Sequence, residues 1–510
     1  MTDTAKITAN RTVTLEGALN WRDVALVADG ATLILGASAA VRIDVARALV
    51  DAIVERGIRA YGVNTGVGAL CDVIVAPPEQ SQLSRNLLMS HAVGVGETLA
   101  GTETRAIIAA AINNFAHGYS GIRLDVVRCL QALLNGDCVP EVPARGSVGY
   151  LSHMAHIALV TIGEGVAQVR GRRMSGRDAL HAIGVEPLTL RAKEGLSIVN
   201  GTPCATGLGA VALARAERLL AWADVAGAMT FETLRGQMTA FAEASIALRR
   251  SAALDAVAGR LRELLAGSAI LEASRGDRTQ DPLSLRAIPH VHGAARDVFA
   301  TTAEVINGEL RAVTDNPVVT GTLAGPVVYS EAHAVPAALA LALDSFAVAI
   351  ASVAAMSERR VDRLVNPLVS RLPAFLTDVA GVGSGFMIAQ YTAASLVAEN
   401  RRLASPASLD GGITSALQED HLCHSTPAAL KLLRILENFE CILSIELLAS
   451  AQGFELLSSD LSRAPGTARF QHAIRANVIP YRDDRPLADD FAKIRGELLR
   501  FHPEQVASAY

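Results

Sequence analysis

Hydrophobic and polar positions alternate along most of this chain with the period of a helix. Across residues 38–56 the apolar side chains return every three or four positions, and Gly57 stands where such a helix would stop. The same period runs through 80–92, 102–116 and 122–135. Beyond residue 151 it lengthens, predicting helices over 153–164, 203–243, 251–271, 290–309, 335–361, 385–402 and 426–458. Long apolar helices with few charges predict a bundle, and faces too apolar for water predict association with further copies. Residues 12–29 are short and mixed, predicting a small strand-and-turn region. Tyr61-Gly62-Val63-Asn64-Thr65-Gly66-Val67-Gly68 is rich in glycine and predicts a mobile loop. The expected fold is mainly α: a central bundle of long helices with a small mixed α/β N-terminal region. By sequence character the chain divides into an N-terminal region over 1–200, the bundle over 201–460, and a more charged, proline-bearing cap over 461–510.

Composition narrows the classes of function. Among 510 residues, 46 Lys and Arg face 51 Asp and Glu, a net charge of −5, with no basic run to neutralise phosphates. A mean hydropathy of +0.30 excludes a disordered chain. Residues 334–356 carry one formal charge, Asp344, over a length that would cross a bilayer. They are rich in alanine, with the charge near their middle, and read as a buried core helix. The six cysteines form no Cys-x-x-Cys pair and no zinc-finger spacing. Residues 1–11 are polar, without the apolar stretch of a signal peptide. A cytoplasmic, reduced protein is expected, with its cysteines buried as small hydrophobes.

Side chains able to do chemistry are few. Tyr61 sits on the glycine-rich loop, where a phenol can act as acid or base or simply pack its ring. Ser90-His91 ends a helix, and His91 there is either a cap or a ligand to substrate. Arg286, in Gln280-Asp281-Pro282-Leu283-Ser284-Leu285-Arg286, suits a bidentate grip on a carboxylate or an ordinary ion pair. Asn200-Gly201-Thr202 reads as a turn that places an amide near a helix start, and Thr314-Asp315-Asn316-Pro317 as a turn or cap. Gln418-Glu419-Asp420-His421 has metal-binding residue types, but one histidine among acids is a poor metal set. No nucleophile elbow, Walker loop or His-Glu-x-x-His occurs, and no β-α-β pattern surrounds the glycines.

Taken together, these segments resemble histidine ammonia-lyase and the wider aromatic amino acid lyase family. Tyr61 to Gly66, Arg85-Asn86-Leu87 through Ser90-His91, Arg145-Gly146-Ser147-Val148-Gly149 and Leu196 to Thr202 occur in that family's order. Gln280-Asp281-Pro282, Val313 to Pro317, Ser384-Gly385-Phe386-Met387 and Gln418 to His421 continue it, over residues 12–460. The Ser90-His91 pair is similar to the histidine-selective version. The resemblance implies a homotetramer whose sites are each built from more than one subunit, an amino-acid substrate, and no metal, nucleic acid or membrane partner.

It also implies a methylidene-imidazolone electrophile, formed by cyclisation of Ala-Ser-Gly directly after Gly-Ser-Val-Gly. Here Gly149 is followed by Tyr150-Leu151-Ser152-His153-Met154, and the expected block, longer than the tripeptide itself, is missing. The family tyrosine after Gln-Asp-Pro is Leu283, and the family's Gly-Asn-Phe-His is Ser330-Glu331-Ala332-His333. The electrophile is therefore expected to be absent, as in the ergothionase branch that this chain resembles in lacking it. That branch expels trimethylamine from a histidine betaine.

The activity expected is β-elimination from a histidine-like amino acid to a urocanate-like acid. Tyr61 would take the β-proton, its pKa lowered by neighbours, while Arg286 and Asn200 hold the carboxylate. His91 and Glu419 would grip the imidazole, Glu419 also acting in catalysis, and Gln280 would line the site. Glu331 would face a cationic leaving group, with Tyr150 adding a cation–π face. The alternatives are ordinary histidine ammonia-lyase activity without the electrophile and a non-catalytic binding or regulatory homologue.

Overall fold

The computed structural model describes residues 11–379, 381–457 and 460–509, so the polar stretch 1–10 lies outside the described residues. The chain forms two compact units, each assembled from three separate stretches. The first comprises Met1–Ala214, Thr302–Asp344 and Pro406–Leu430; the second comprises Arg215–Thr301, Ser345–Ser405 and Lys431–Tyr510. Helices dominate both, as expected for a mainly α chain.

In the first unit, strands Thr12–Leu15 and Thr32–Leu35 pair in parallel. The region expected to be strand and turn contains a helix between them, Trp21–Ala28. Asn20 starts that helix: its side chain accepts the Arg22 and Asp23 N–H groups, while Asp23 reaches back to the Asn20 N–H. Helix Gly101–Ala116 is buried from Thr104 to its end. Its two asparagines are used as brackets. Asn113 binds the Leu19 N–H and the Leu310 carbonyl, both at 2.7 Å, and Asn114 takes the Thr314 N–H at 3.0 Å. The Pro203–Thr233 helix crosses this one at Gly207, where a Cβ would lie 2.7 Å from the Ala106 carbonyl.

Short antiparallel pairs also occur that helical periodicity does not predict. Val95–Thr98 pairs with Pro143–Arg145, Cys138–Pro140 with Val166–Val169 and on to Arg172–Ser175, and Val318–Gly321 with Pro326–Tyr329.

In the second unit, buried charges tie the long helices together. Arg360 makes two hydrogen bonds to Glu446, which also accepts the Thr230 hydroxyl at 2.9 Å. Arg463 pairs with Glu232 at 2.8 Å. The helix expected over 203–243 ends at Thr233, because Arg235 turns to positive φ; a short 3-10 turn and the helix Glu243–Ala247 follow. The helix expected over 251–271 breaks at Gly267 into Ala252–Leu265 and Ala269–Ala273.

The segment read as a buried core helix, residues 334–356, falls in the helix Ala337–Val365, which is only half buried over its most apolar window. Ala338, Leu341, Ser345, Val348 and Ser352 form an exposed stripe along it. Cys129, Cys138, Cys204 and Cys423 are buried, as expected, whereas Cys71 and Cys441 are half-buried.

Candidate active site

The glycine-rich segment after Ala60 is an ordered turn rather than a mobile loop. Gly62 to Gly66 are buried. The Asn64 side chain accepts the Ala60 N–H and donates to the Ile58 carbonyl, both at 2.9 Å, and the Thr65 hydroxyl accepts the Gly62 N–H at 3.0 Å. These bonds satisfy a backbone that neither helix nor strand would satisfy. They leave Tyr61 half-buried, its phenol oxygen accepting the Gly68 N–H at 3.2 Å.

A second segment meets this turn. Thr414 and Glu419 form a backbone bridge, and the Thr414 hydroxyl donates to the Glu419 carboxylate at 2.9 Å. The bridge folds Ser415 toward the tyrosine turn, where its hydroxyl oxygen accepts the Ala69 N–H at 3.3 Å. The segment is then tied to the stretch 146–150: the His424 N–H donates to the Val148 carbonyl, and the Thr426 hydroxyl to the Gly149 carbonyl at 2.7 Å.

Charge effects bring four expected site residues together. Burial raises the pKa of Tyr61, outweighing the lowering by the Gly68 N–H, and the Glu419 charge raises it further. Tyr150 is pushed up to about 12, first by burial, then by Glu419, Cys423 and Tyr61. His91 is lowered by burial, against the pull of a backbone contact and Glu419. His91 ends the Gln80–His91 helix, and its Nδ1 lies 3.0 Å from the Ser90 hydroxyl. The expected lowering of the Tyr61 pKa is thus reversed in this chain: burial outweighs the hydrogen bond from Gly68.

Asn200 and Glu331 are joined through a third residue. The Asn200 amide donates to the Asn316 carbonyl at 2.5 Å, and the Glu331 N–H donates to the Asn316 side-chain oxygen at 2.9 Å. Asn200 closes the helix Glu194–Val199, and Gly201 then turns the chain at positive φ into the long helix beginning at Pro203, as the Asn-Gly-Thr motif predicts. The Leu151 N–H bonds the Val199 carbonyl at 3.1 Å, joining the Tyr150 segment to that same helix. One Glu331 oxygen accepts the His333 N–H, with the His333 ring 3.2 Å away; the other, Oε1, is buried and has no hydrogen-bond partner.

Gln280 and Arg286 belong to the second unit. Gln280 is exposed, and the buried Nε of Arg286 likewise finds no partner. Leu283 is exposed at the start of the short helix Leu283–Arg286. Among the described residues, no group of three or more His, Cys, Asp or Glu is arranged to hold a metal ion.

The residues after Gly149 do not fit a methylidene-imidazolone. Cyclisation needs a glycine amide nitrogen beyond a dehydrating serine, and no Ser-Gly occurs in the Tyr150-Leu151-Ser152-His153 run directly after Gly149. The segment has its own bonding instead. The Ser147 hydroxyl donates to the Tyr150 carbonyl at 3.0 Å, and Ser152 is buried at the start of the helix Ser152–Thr161.

Sequence reasoning missed Lys193, which is buried against Asp315, and Ser415. The signal for the first was a lysine at the edge of an apolar run, together with an Asp in a motif read only as a turn.

The family model for aromatic amino acid lyases matches residues 19–476. A histidine ammonia-lyase of Symbiobacterium thermophilum is 43% identical over 470 residues, covering 92% of both chains. That of Anaeromyxobacter sp. (strain K) is 44% identical over 498 residues, 95% of this chain and 97% of its own. Among solved structures, histidine ammonia-lyase from Trypanosoma cruzi superposes with a TM-score of 0.89 at 36% identity, covering 98% of this chain and 96% of that one. The ergothioneine-degrading enzyme ergothionase from Treponema denticola superposes with a TM-score of 0.89 at 27% identity, covering 97% and 99%. The chain belongs to the aromatic amino acid lyase family and is a carbon–nitrogen lyase.

Proposed function

We propose that this lyase eliminates the α-amine of a histidine-like amino acid without a built-in electrophile, and that its substrate carries a quaternary, trimethylammonium nitrogen. The observation that carries the reading is the grouping of Tyr61, His91 and Glu419 with Tyr150, whose segment after Gly149 has no cyclisable tripeptide. In the family an electrophile bonds the amine nitrogen and improves its departure. A quaternary nitrogen has no lone pair for that bond and already leaves as a neutral amine, so its elimination needs no such help.

In the reaction Tyr61 takes the β-proton, the electrons of that C–H bond form the Cα–Cβ double bond, and the Cα–N pair departs with trimethylamine. Arg286 holds the carboxylate, Asn200 orients it, and Gln280 also serves to bind the substrate. His91 and Glu419 hold the imidazole, and Glu419 stabilises the ring so that the β-carbon gives up its proton more readily. The unpartnered Glu331 oxygen supports a cationic leaving group, since a buried carboxylate is costly unless a positive charge faces it. Tyr150 adds its ring face. The likeness to ergothionase supports the same substrate class. Assembly as a homotetramer, with sites drawn from more than one copy, and a cytoplasmic location complete the proposal.

The second reading, elimination of ammonia from histidine itself, is favoured by the names of the relatives at 43% and 44% identity. A turnover assay comparing L-histidine, its trimethyl betaine and the 2-thione betaine, followed by urocanate-type ultraviolet absorbance, separates them. Product from a betaine is the expected result. Product from L-histidine alone overturns the quaternary-amine reading, and tight binding by calorimetry without any product identifies a binding homologue.

A further inference from the structure

Lys193 is a charge enclosed inside the first unit, with no exposed side-chain surface. Its ammonium donates to the Ser120 carbonyl at 2.7 Å, the Ser197 hydroxyl at 2.8 Å and Asp315 at 3.1 Å, so all three of its donors are used. The other Asp315 oxygen accepts the Asn316 N–H at 2.8 Å. Asn316 in turn contacts two residues of the candidate site, Asn200 through its carbonyl and Glu331 through its side-chain oxygen.

A buried ion pair is seldom more stabilising than apolar residues of the same volume. The fold alone therefore gives little reason for Lys193 and Asp315. Their bonds do provide orientation: they fix Asn316, whose carbonyl and side-chain oxygen both contact residues of the candidate site. Burial lowers the Lys193 pKa, Asp315 raises it, and Glu331 adds to the effect of Asp315, so the buried cation and the site carboxylate sense each other.

We propose that Lys193 is a positioning residue: its pair with Asp315 holds Asn316, and Asn316 sets Asn200 and Glu331 in place for the substrate. This rests on the elimination reading above, which gives those two residues their tasks.

The test is a mutant cycle on the full-length protein. K193M/D315N removes both charges together, leaves no unpaired ion and keeps an oxygen for the Asn316 N–H. On the substrate that the unmodified protein turns over, kcat/KM is expected to fall about 10- to 100-fold in K193M/D315N. In an N200A background the same change is expected to cost about 3-fold or less, because the path it acts through is already broken. A structural role alone lowers activity by the same factor in both backgrounds. That result overturns the proposal, as does unchanged activity in K193M/D315N.

If K193M/D315N does not fold, S197A removes one Lys193 contact and leaves the pair intact. A loss that shrinks beside N200A supports the proposal; equal losses or none overturn it. Should the unmodified protein give no product from any histidine-like substrate, the elimination reading fails by itself. The same cycle is then read as Kd for urocanate by calorimetry, with the same two outcomes.

Discussion

Tyr61 is held by the turn that carries it, and its burial makes a phenolate hard to form. Because burial raises its pKa above the ordinary 10.0, the basic form is scarce at neutral pH and grows as the medium becomes alkaline. The rate of elimination at low substrate should therefore climb with pH through the alkaline range; a plateau at neutrality would remove Tyr61 as the base. Tyr61→Phe should lower kcat by about 100- to 10,000-fold while leaving the affinity for a product-like acid nearly unchanged, measured by initial rates and calorimetry. Tyr61, His91, Asn200 and Glu419 stand out in the sequence as candidates because each sits in a motif whose residue types and order are distinctive. Lys193 was not, since its partner Asp315 is far along the chain, and a pairing across such a distance leaves no spacing to read.

At the scale of elements, the helices holding His91 and Asn200 are set by one close approach. A Cβ on Gly195 would lie 2.6 Å from the Ser84 Cα, so only glycine lets the Glu194–Val199 helix reach the Gln80–His91 helix. Gly195→Ala should destabilise the protein by about 1–3 kcal/mol in urea unfolding and lower turnover as the two helices part.

Another helix, Ser152–Thr161, carries a buried imidazole. His153 is held at about 4 by burial, although its Nε2 donates to the Ala144 carbonyl at 3.1 Å. Its unfolded value is 6.5, so the unfolded chain binds the proton first as pH falls. Stability is complete above pH 6.5 and declines toward pH 4, by about 3 kcal/mol from this group. His153→Gln, which keeps a donor and cannot titrate, should flatten that part of the Tm-against-pH curve.

Periodicity predicted most helices to within a few residues. It overran at Thr233 and Leu265, because a break made by backbone turning needs no change in apolar pattern. The short strands escaped notice for a related reason: three or four residues are too few to show an alternation.

For the whole molecule, the helical class follows from alanine-rich, sparsely charged runs, but the exposed sides of those runs do not. Leu341 is 57% exposed and Val348 48% exposed, along one stripe of Ala337–Val365. Apolar area of this kind is costly in water and is normally covered by association. If copies of the chain cover it, Leu341→Asp with Val348→Asp should shift the assembly to smaller species in sedimentation velocity, with activity falling as the protein is diluted.

The contact between Ser415 and Ala69 has its own consequence for traffic through the site. A door and its frame joined by a latch open together or not at all. An excursion of the Tyr61 turn that keeps this bond carries with it the strip ending in Glu419, so the proposed base and the carboxylate proposed to bind the ring leave and return in step.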